Sequence, residues 1–290
     1  MNAYALSGGG TLSRHNERVA RTGQPLSDVE IARAAPSVFA ETAHESRSDR
    51  YTYLPTSTVL AALRGQGFKP YYAAQANNRT AGRLTHARHI LRFRHDDMKQ
   101  GGDGMHEIIL LNSHDGSSAY QLISGYYRLV CSNGLVTSHA AHDVRIAHKG
   151  NKQVDDIIDV AYRIVAEQST RIAALEHMQA TNMPYDKQIT FARQAMVARF
   201  GENGMQADVS DLLRARRFDD GGNTEWAIYN RVQENLTRGE FYGRTINGKQ
   251  RKVSSIRGAN KDFDFNHKLW GIFEDVRNGA LSDSRELVAA

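Results

Sequence analysis

The stretch His86-Ala-Arg-His-Ile-Leu-Arg-Phe-Arg-His95 decides the fold. Read as a strand, it places Arg88, Ile90, Arg92 and Arg94 on one face and His89, Leu91, Phe93 and His95 on the other. Working outward, Phe68–Gln75, His106–Asn112 and Ser118–Ser124 are also rich in aromatic and β-branched residues. Asn77-Asn78, Gly101-Gly-Asp-Gly104 and the turn His114-Asp115-Gly116 separate these runs. Such a succession predicts an antiparallel sheet. Before it, Thr56 or Ser57 is placed to cap a helix that carries Val59, Leu60 and Leu63 and stops at Gly65 and Gly67. After it, Tyr126–Cys131 suits a short helix and Leu135–Ser138 a brief strand. Residues 51–150 read as an α+β unit.

The pattern changes at residue 151. Val154, Ile157, Ile158, Ala161, Ile164, Val165, Ile172 and Leu175 recur at three- and four-residue steps, which predicts one long amphipathic helix over 151–179. Further helices are expected over Asp186–Phe200, Glu225–Leu236 and Phe265–Val276. Residues 1–50 are polar and Gly/Ser/Arg-rich, with one short helix marked by the capping-box spacing of Ser27 and Glu30. The expected architecture is therefore a polar, partly flexible N-terminal segment (1–50), a sheet domain (51–150) and a mainly helical half (151–290). That half packs on the sheet domain and carries a basic loop at 243–261.

Composition narrows the class. The chain has 290 residues, 40% of them hydrophobic and 24% charged, which excludes global disorder. The longest apolar run, Val59–Leu63, is far short of the roughly 20 residues that span a bilayer. Met1–Gly10 shows no basic region leading an apolar block, so no secretory signal is read. A single cysteine, Cys131, excludes an internal disulfide and multi-cysteine zinc folds. The expectation is a cytoplasmic protein with no membrane partner.

Catalytic signatures are sparse. Gly243, four residues and Gly248-Lys249 match a phosphate loop in spacing, but Gln250 stands where a hydroxyl residue is needed and no apolar strand precedes. His114 and Asp115, near Ser113 and Ser117, could form a general-base group, although Asx and Ser side chains of a β-turn account for the same residues. His139 and His142, with Asp143 and His148, resemble a metal site but lack a third ligand at diagnostic spacing. Cys131 follows Leu129 and Val130, where cysteine acts as a small hydrophobe. No cofactor or metal is expected, and no catalytic residue is assigned.

Charge is more telling. Lysine and arginine number 37 against 32 acidic residues, and 12 of the 37 fall in two windows, Arg79–His95 and Arg238–Lys261. Arg88, Arg92 and Arg94 on one strand face would track phosphates, with Tyr71, Tyr72 and Phe93 as stacking surfaces. Lys249, Arg251, Lys252 and Arg257 would join them from the C-terminal loop. Charge reversal at Arg92 and Arg94 would then abolish binding and leave folding intact.

Asn112-Ser-His-Asp-Gly-Ser-Ser-Ala-Tyr120 resembles the phage/plasmid-like proteins grouped as domain of unknown function 932. The resemblance continues through Gly125-Tyr-Tyr-Arg-Leu-Val-Cys-Ser-Asn-Gly-Leu135, His148-Lys-Gly150 and Leu212-Leu-Arg-Ala-Arg-Arg217. It returns in Trp226, Tyr229-Asn-Arg-Val-Gln-Glu-Asn-Leu236, Arg238-Gly239, Asn266 and Leu269-Trp270, and covers about residues 51–276. Where the family shows Gly-Gly, this chain has Gly239-Glu240. The resemblance implies a mobile-element setting and carries no catalytic residues. The leading expectation is non-catalytic binding of nucleic acid, single-stranded DNA in replication, recombination or transfer, helped by homo-oligomerisation. A second is a protein-binding inhibitor of a host defence system, using residues 1–50 or the Trp226 and Trp270 helices. A third is a metal-dependent hydrolase using His114, Asp115, His139 and His142.

Overall fold

The computed structural model describes residues 19–21, 23–42, 53–76, 84–98, 100–101, 104–115, 118–128, 134–135, 144–146 and 153–281. The first half runs β1 (Val19–Arg21), α1 (Asp28–Ala34), a 3-10 turn (Pro36–Phe39), α2 (Thr56–Gly65), β2 (Lys69–Gln75), β3 (His89–Arg94), β4 (Gln100–Gly101), β5 (Gly104–Asn112), β6 (Tyr120–Arg128), β7 (Gly134–Leu135) and β8 (Val144–Ile146). The second half runs α3 (Gln153–Ala166), α4 (Gln168–Ala180), α5 (Tyr185–Phe200), β9 (Gln206–Ala207), α6 (Val209–Leu213), α7 (Glu225–Arg238), β10 (Tyr242–Arg244), β11 (Gln250–Lys252) and α8 (Ala259–Arg277). The fold is mixed α+β, with an antiparallel sheet first and a helical half after it.

The sheet has the order β1-β2-β3-β5-β6-β7, with β4 beside β5 and β8 beside β6. Its register alternates as the strand pattern predicts: Arg92 stands opposite Ile109, and Leu91 opposite Leu110. One face carries Leu91, Phe93, Leu110 and Leu122, packed on Ile31, Val38, Leu60, Leu63, Ile157 and Ile164. Each such buried side chain contributes about 1.5–3 kcal/mol of transfer free energy. The other face carries Tyr72, Ile90, Ile109 and Ile123 and is covered by Phe263 of α8. Helix α8 then runs on into a second core, where Leu269, Trp270 and Phe273 meet Phe191, Trp226, Tyr229 and Val232. The C-terminal helix thus belongs to both halves.

Four local expectations are corrected. Within residues 1–50 the expected Ser27–Glu30 capping box starts α1, but the described residues are not merely a lead-in: β1 pairs with β2, and α1 buries Ile31 and Ala34 in the sheet core. Neither Thr56 nor Ser57 caps α2, whose N-cap is Pro55; the Thr56 hydroxyl is spent inside the core. Tyr126 and Tyr127 continue β6 rather than start a helix, because β5 extends back to Gly104 and offers them Met105 and His106 as ladder partners. The helix expected over 151–179 is two helices that meet at Glu167. Ile157, Val160 and Ile164 of α3 serve the sheet core, whereas Leu175 and Met178 of α4 serve the helical core, so the chain must turn between them.

Candidate nucleic-acid interface

The basic loop forms a β-hairpin. Phe241 and Val253 root it in the helical core, both nearly fully buried, with the Val253 N–H donating to the Phe241 carbonyl (2.8 Å). Between these anchors β10 pairs with β11, and Gly243 also pairs with Ala207 of β9. The turn closes with Gly248 N–H donating to the Thr245 carbonyl (2.8 Å) and Thr245 N–H to the Lys249 carbonyl (3.0 Å). Gly248 has φ +74°, the left-handed residue that a type I turn with a following bulge requires. Tyr242, Arg244, Gln250 and Lys252 share one face of the ribbon; Arg251, opposite Gly243, lies on the other.

Arg244, Lys249, Arg251, Lys252 and Arg257 are all exposed, and none is ion-paired with a described residue. Tyr242 is 58% exposed beside them, and Ile246 caps the tip. Arg199 of α5 reaches the base of the hairpin, where its Nη2 donates to the Ser254 carbonyl (3.5 Å). Its Nε–H is buried without an acceptor among the described residues, and desolvation lowers its pKa. An unneutralised cation of this kind favours an incoming anion.

The strand arginines behave differently, which corrects the expected phosphate track. Arg92 donates through Nε to Glu107, a carboxylate with no exposed surface. Arg94 Nη2 pairs with the other Glu107 oxygen (2.7 Å). Arg92 Cζ also lies 3.3 Å from the Tyr127 ring centroid and 4.6 Å from that of Tyr72, while Arg94 Cζ lies 4.3 Å over Tyr71. Burial alone would lower the Arg92 pKa, but Glu107 keeps it above the ordinary arginine value. Arg88 is held by Asp264 of α8, through bonds of 3.0 and 3.1 Å. Phe93 is 0% exposed in the sheet core and Tyr72 is buried, so neither is a stacking surface. The face that would have tracked phosphates is roofed by α8. The Trp226 and Trp270 side chains themselves are buried.

His114 lies inside a polar knot rather than in an open acid–base site. Thr56 Oγ1 is the hub: His89 Nε2 lies at 3.0 Å, His114 Nε2 at 3.1 Å, Tyr120 Oη at 3.1 Å and Asn112 Nδ2 at 3.0 Å. His89 Nδ1 lies 3.1 Å from the Ala87 carbonyl and 2.9 Å from Ser37 Oγ. That carbonyl can only accept, which assigns the proton to Nδ1 and leaves Nε2 to accept from Thr56. Burial lowers the His89 pKa to about 4, so the ring is neutral near pH 7. Ser113 Oγ accepts from Ser118 N–H (2.8 Å) and so closes the turn that holds Asp115. Among the described residues no group of three or more His, Cys, Asp or Glu could hold a metal. His139, His142 and Cys131 lie outside the described residues.

The model of the family described as "Domain of unknown function (DUF932)" matches residues 43–270. The chain belongs to the DUF932 family. It is 40% identical over 254 residues to the UPF0380 protein YafZ of Escherichia coli K12, covering 88% of this chain and 92% of that one. The UPF0380 protein YfjQ of the same strain is 39% identical over 256 residues, covering 88% of this chain and 93% of its own length. No solved structure matches the chain. The DUF932 match takes in the hairpin, the Arg92–Glu107 pair and the Thr56 knot alike. Among the described residues no helix is long and apolar enough to cross a membrane.

Arg199 carries no sequence signal, because nothing in α5 announces that it meets the chain just past β11, more than fifty residues later. Glu107 did carry a legible signal. A carboxylate inside the apolar run Met105–Leu111 needs a buried cation.

Proposed function

We propose that the protein binds nucleic acid without catalysis, through phosphate contacts made by the β10–β11 hairpin. The reading rests on one observation: Arg244, Lys249, Arg251, Lys252 and Arg257 are exposed on and beside one β-ribbon, unpaired with any described residue. Arg199 extends this charge at the ribbon's base. The exposed Tyr242 ring beside Arg244 and Lys252 favours single strands, whose unstacked bases can lie on an aromatic face. Single-stranded DNA in the replication, recombination or transfer of a mobile element is the proposed context. Homo-oligomerisation would multiply these phosphate contacts along one strand. Arg88, Arg92 and Arg94 act in this reading as internal structure.

The test is fluorescence anisotropy with labelled single- and double-stranded oligonucleotides across a salt series. Five phosphate contacts on a single strand give a log–log salt slope of roughly −3 to −4. The double variant R251E/K252E should flatten the slope and weaken binding by about tenfold or more. Absence of binding even at low salt, or an unchanged slope in that variant, overturns the proposal.

One observation favours a second reading, a protein partner from a host defence system. Phe218, in the 3-10 turn Phe218–Asp220, is 99% exposed and so is open to a protein partner. A stoichiometric partner retained from nuclease-treated host lysate and lost in Phe218→Ser would support it over the first.

A further inference from the structure

A cleft of about 600 Å³ opens where the loop before α5, the end of α6 and the loop before α7 meet. Its walls are fixed: Met183 N–H donates to the Asn223 carbonyl (2.9 Å) and Glu225 N–H to the Thr181 carbonyl (2.8 Å). Arg231 of α7 lines it. Arg231 Nη1 donates to the Leu213 carbonyl (3.0 Å) and Nη2 to the Gly222 carbonyl (2.7 Å), so two neutral acceptors hold the guanidinium. Its Nε–H is buried with no acceptor among the described residues, and no described carboxylate pairs with it. Desolvation lowers its pKa, opposed by the field of nearby Asp220. A positioned, under-neutralised arginine in a concave wall is a seat for an anion.

The rest of the lining narrows that anion. Arg214 stands exposed at the same cleft, also unpaired with any described residue. Tyr185, at the first turn of α5, is 72% exposed. Three side-chain amides, Asn182, Gln188 and Asn223, and the hydroxyl residue Ser210 complete the polar lining, and Gln188 is fixed by its Nε2 donating to the Met183 carbonyl (2.8 Å). Two guanidinium groups suit a phosphate, an open phenol ring suits a planar heterocycle, and amides suit the donor and acceptor edge of a base.

We propose that this cleft binds a nucleoside monophosphate, with the phosphate on Arg214 and Arg231, the base against Tyr185 and its edge on the amides of Asn182 and Asn223. The site involves none of the hairpin residues and stands independently of the reading above.

The full chain is titrated by calorimetry with the common ribo- and deoxyribonucleoside monophosphates, adenosine and inorganic phosphate. At least one mononucleotide should saturate with a Kd on the order of 1 mM or tighter, with adenosine and phosphate each about tenfold weaker. R214E and Y185A change exposed side chains that make no hydrogen bond or ion pair with a described residue, and should each weaken that binding by about tenfold. R251E/K252E should leave it unchanged. Overturning results are no saturation up to the order of 10 mM, equal affinity in R214E and Y185A, or loss of binding in R251E/K252E.

Discussion

Arg92 and Glu107 form an ion pair that solvent barely reaches, the carboxylate at 0% and the guanidinium at 12% side-chain exposure. The pair sits between the sheet and α8, with the guanidinium against the Tyr127 and Tyr72 rings. Removing one partner of such a pair leaves an uncompensated buried charge, at a cost of about 3–5 kcal/mol. Glu107→Gln should therefore lower unfolding free energy by about 3 kcal/mol in urea titrations. Charge reversal at Arg92 should prevent folding rather than selectively abolish ligand binding. A Glu107→Gln midpoint close to that of the unaltered protein would show that the pair is not structural.

His89 ties stability to pH. Its ordinary value of 6.5 falls to about 4 in the fold, chiefly because burial disfavours the charged ring. His106, buried against Tyr126, is lowered to about 4 for the same reason, with the nearby Arg171 charge acting in the same direction. The unfolded chain takes up these protons first, so stability is complete above about pH 6.5 and declines as pH falls towards 4, by about 3 kcal/mol for each histidine. Unfolding titrations at pH 7, 6 and 5 should show this decline, and His89→Asn should remove about half of it. An identical pH slope in the variant would place the sensitivity elsewhere.

The contrast between Arg92 and Arg251 shows what could be read from the sequence and what could not. Alternation correctly put Arg88, Ile90, Arg92 and Arg94 on one face, because strand period is a local property. Whether that face is open depends on α8, whose Asp264 meets Arg88 across 176 residues. Local pattern holds no information about such a contact. The charge of the 243–261 loop was more legible, since a window with one acidic residue has few ways to neutralise itself; that it folds as a hairpin was not read. The helical break at Glu167 had no breaker residue to reveal it, since the turn is imposed by the two cores that α3 and α4 serve. The Thr56 knot was hidden for a related reason. Its members come from α2, β3, β5, the segment after β5, and β6, and only tertiary packing brings them to one hydroxyl.

Tyr229 offers a stabilising substitution. Its hydroxyl is buried with no hydrogen-bond partner among the described residues, and the Phe191, Trp270 and Phe273 rings lie 5.3–5.9 Å away, centroid to centroid. Burial raises its pKa well above the usual phenol value. An unsatisfied buried hydroxyl costs about 1–3 kcal/mol, so Tyr229→Phe should be as stable as the parent or more stable, by up to about 1 kcal/mol. A clear loss of stability would reveal a partner for that hydroxyl.

Gly239-Glu240 supplies a stricter test of backbone strain, because Glu240 takes a left-handed conformation where the family resemblance places a second glycine. Gly239 has φ +70°, and a Cβ there would lie 2.5 Å from the Val253 carbonyl oxygen, so only glycine fits. Glu240 follows with φ +68°, and its N–H donates to that same carbonyl (2.9 Å), holding the root of the hairpin. A left-handed non-glycine residue costs roughly 1–2 kcal/mol. In compensation Glu240 Oε2 accepts from Arg216 Nη1 (3.0 Å), but that carboxylate is 66% exposed and such pairs are worth about 0–1 kcal/mol. Glu240→Ala removes the ion pair and keeps the strain, whereas Glu240→Gly removes both. The glycine variant should therefore be more stable than the alanine variant by about 1 kcal/mol, somewhat offset by the greater freedom of its unfolded chain. Paired denaturation curves decide the matter: an alanine variant equal to or more stable than the glycine variant would mean that Glu240 bears no strain.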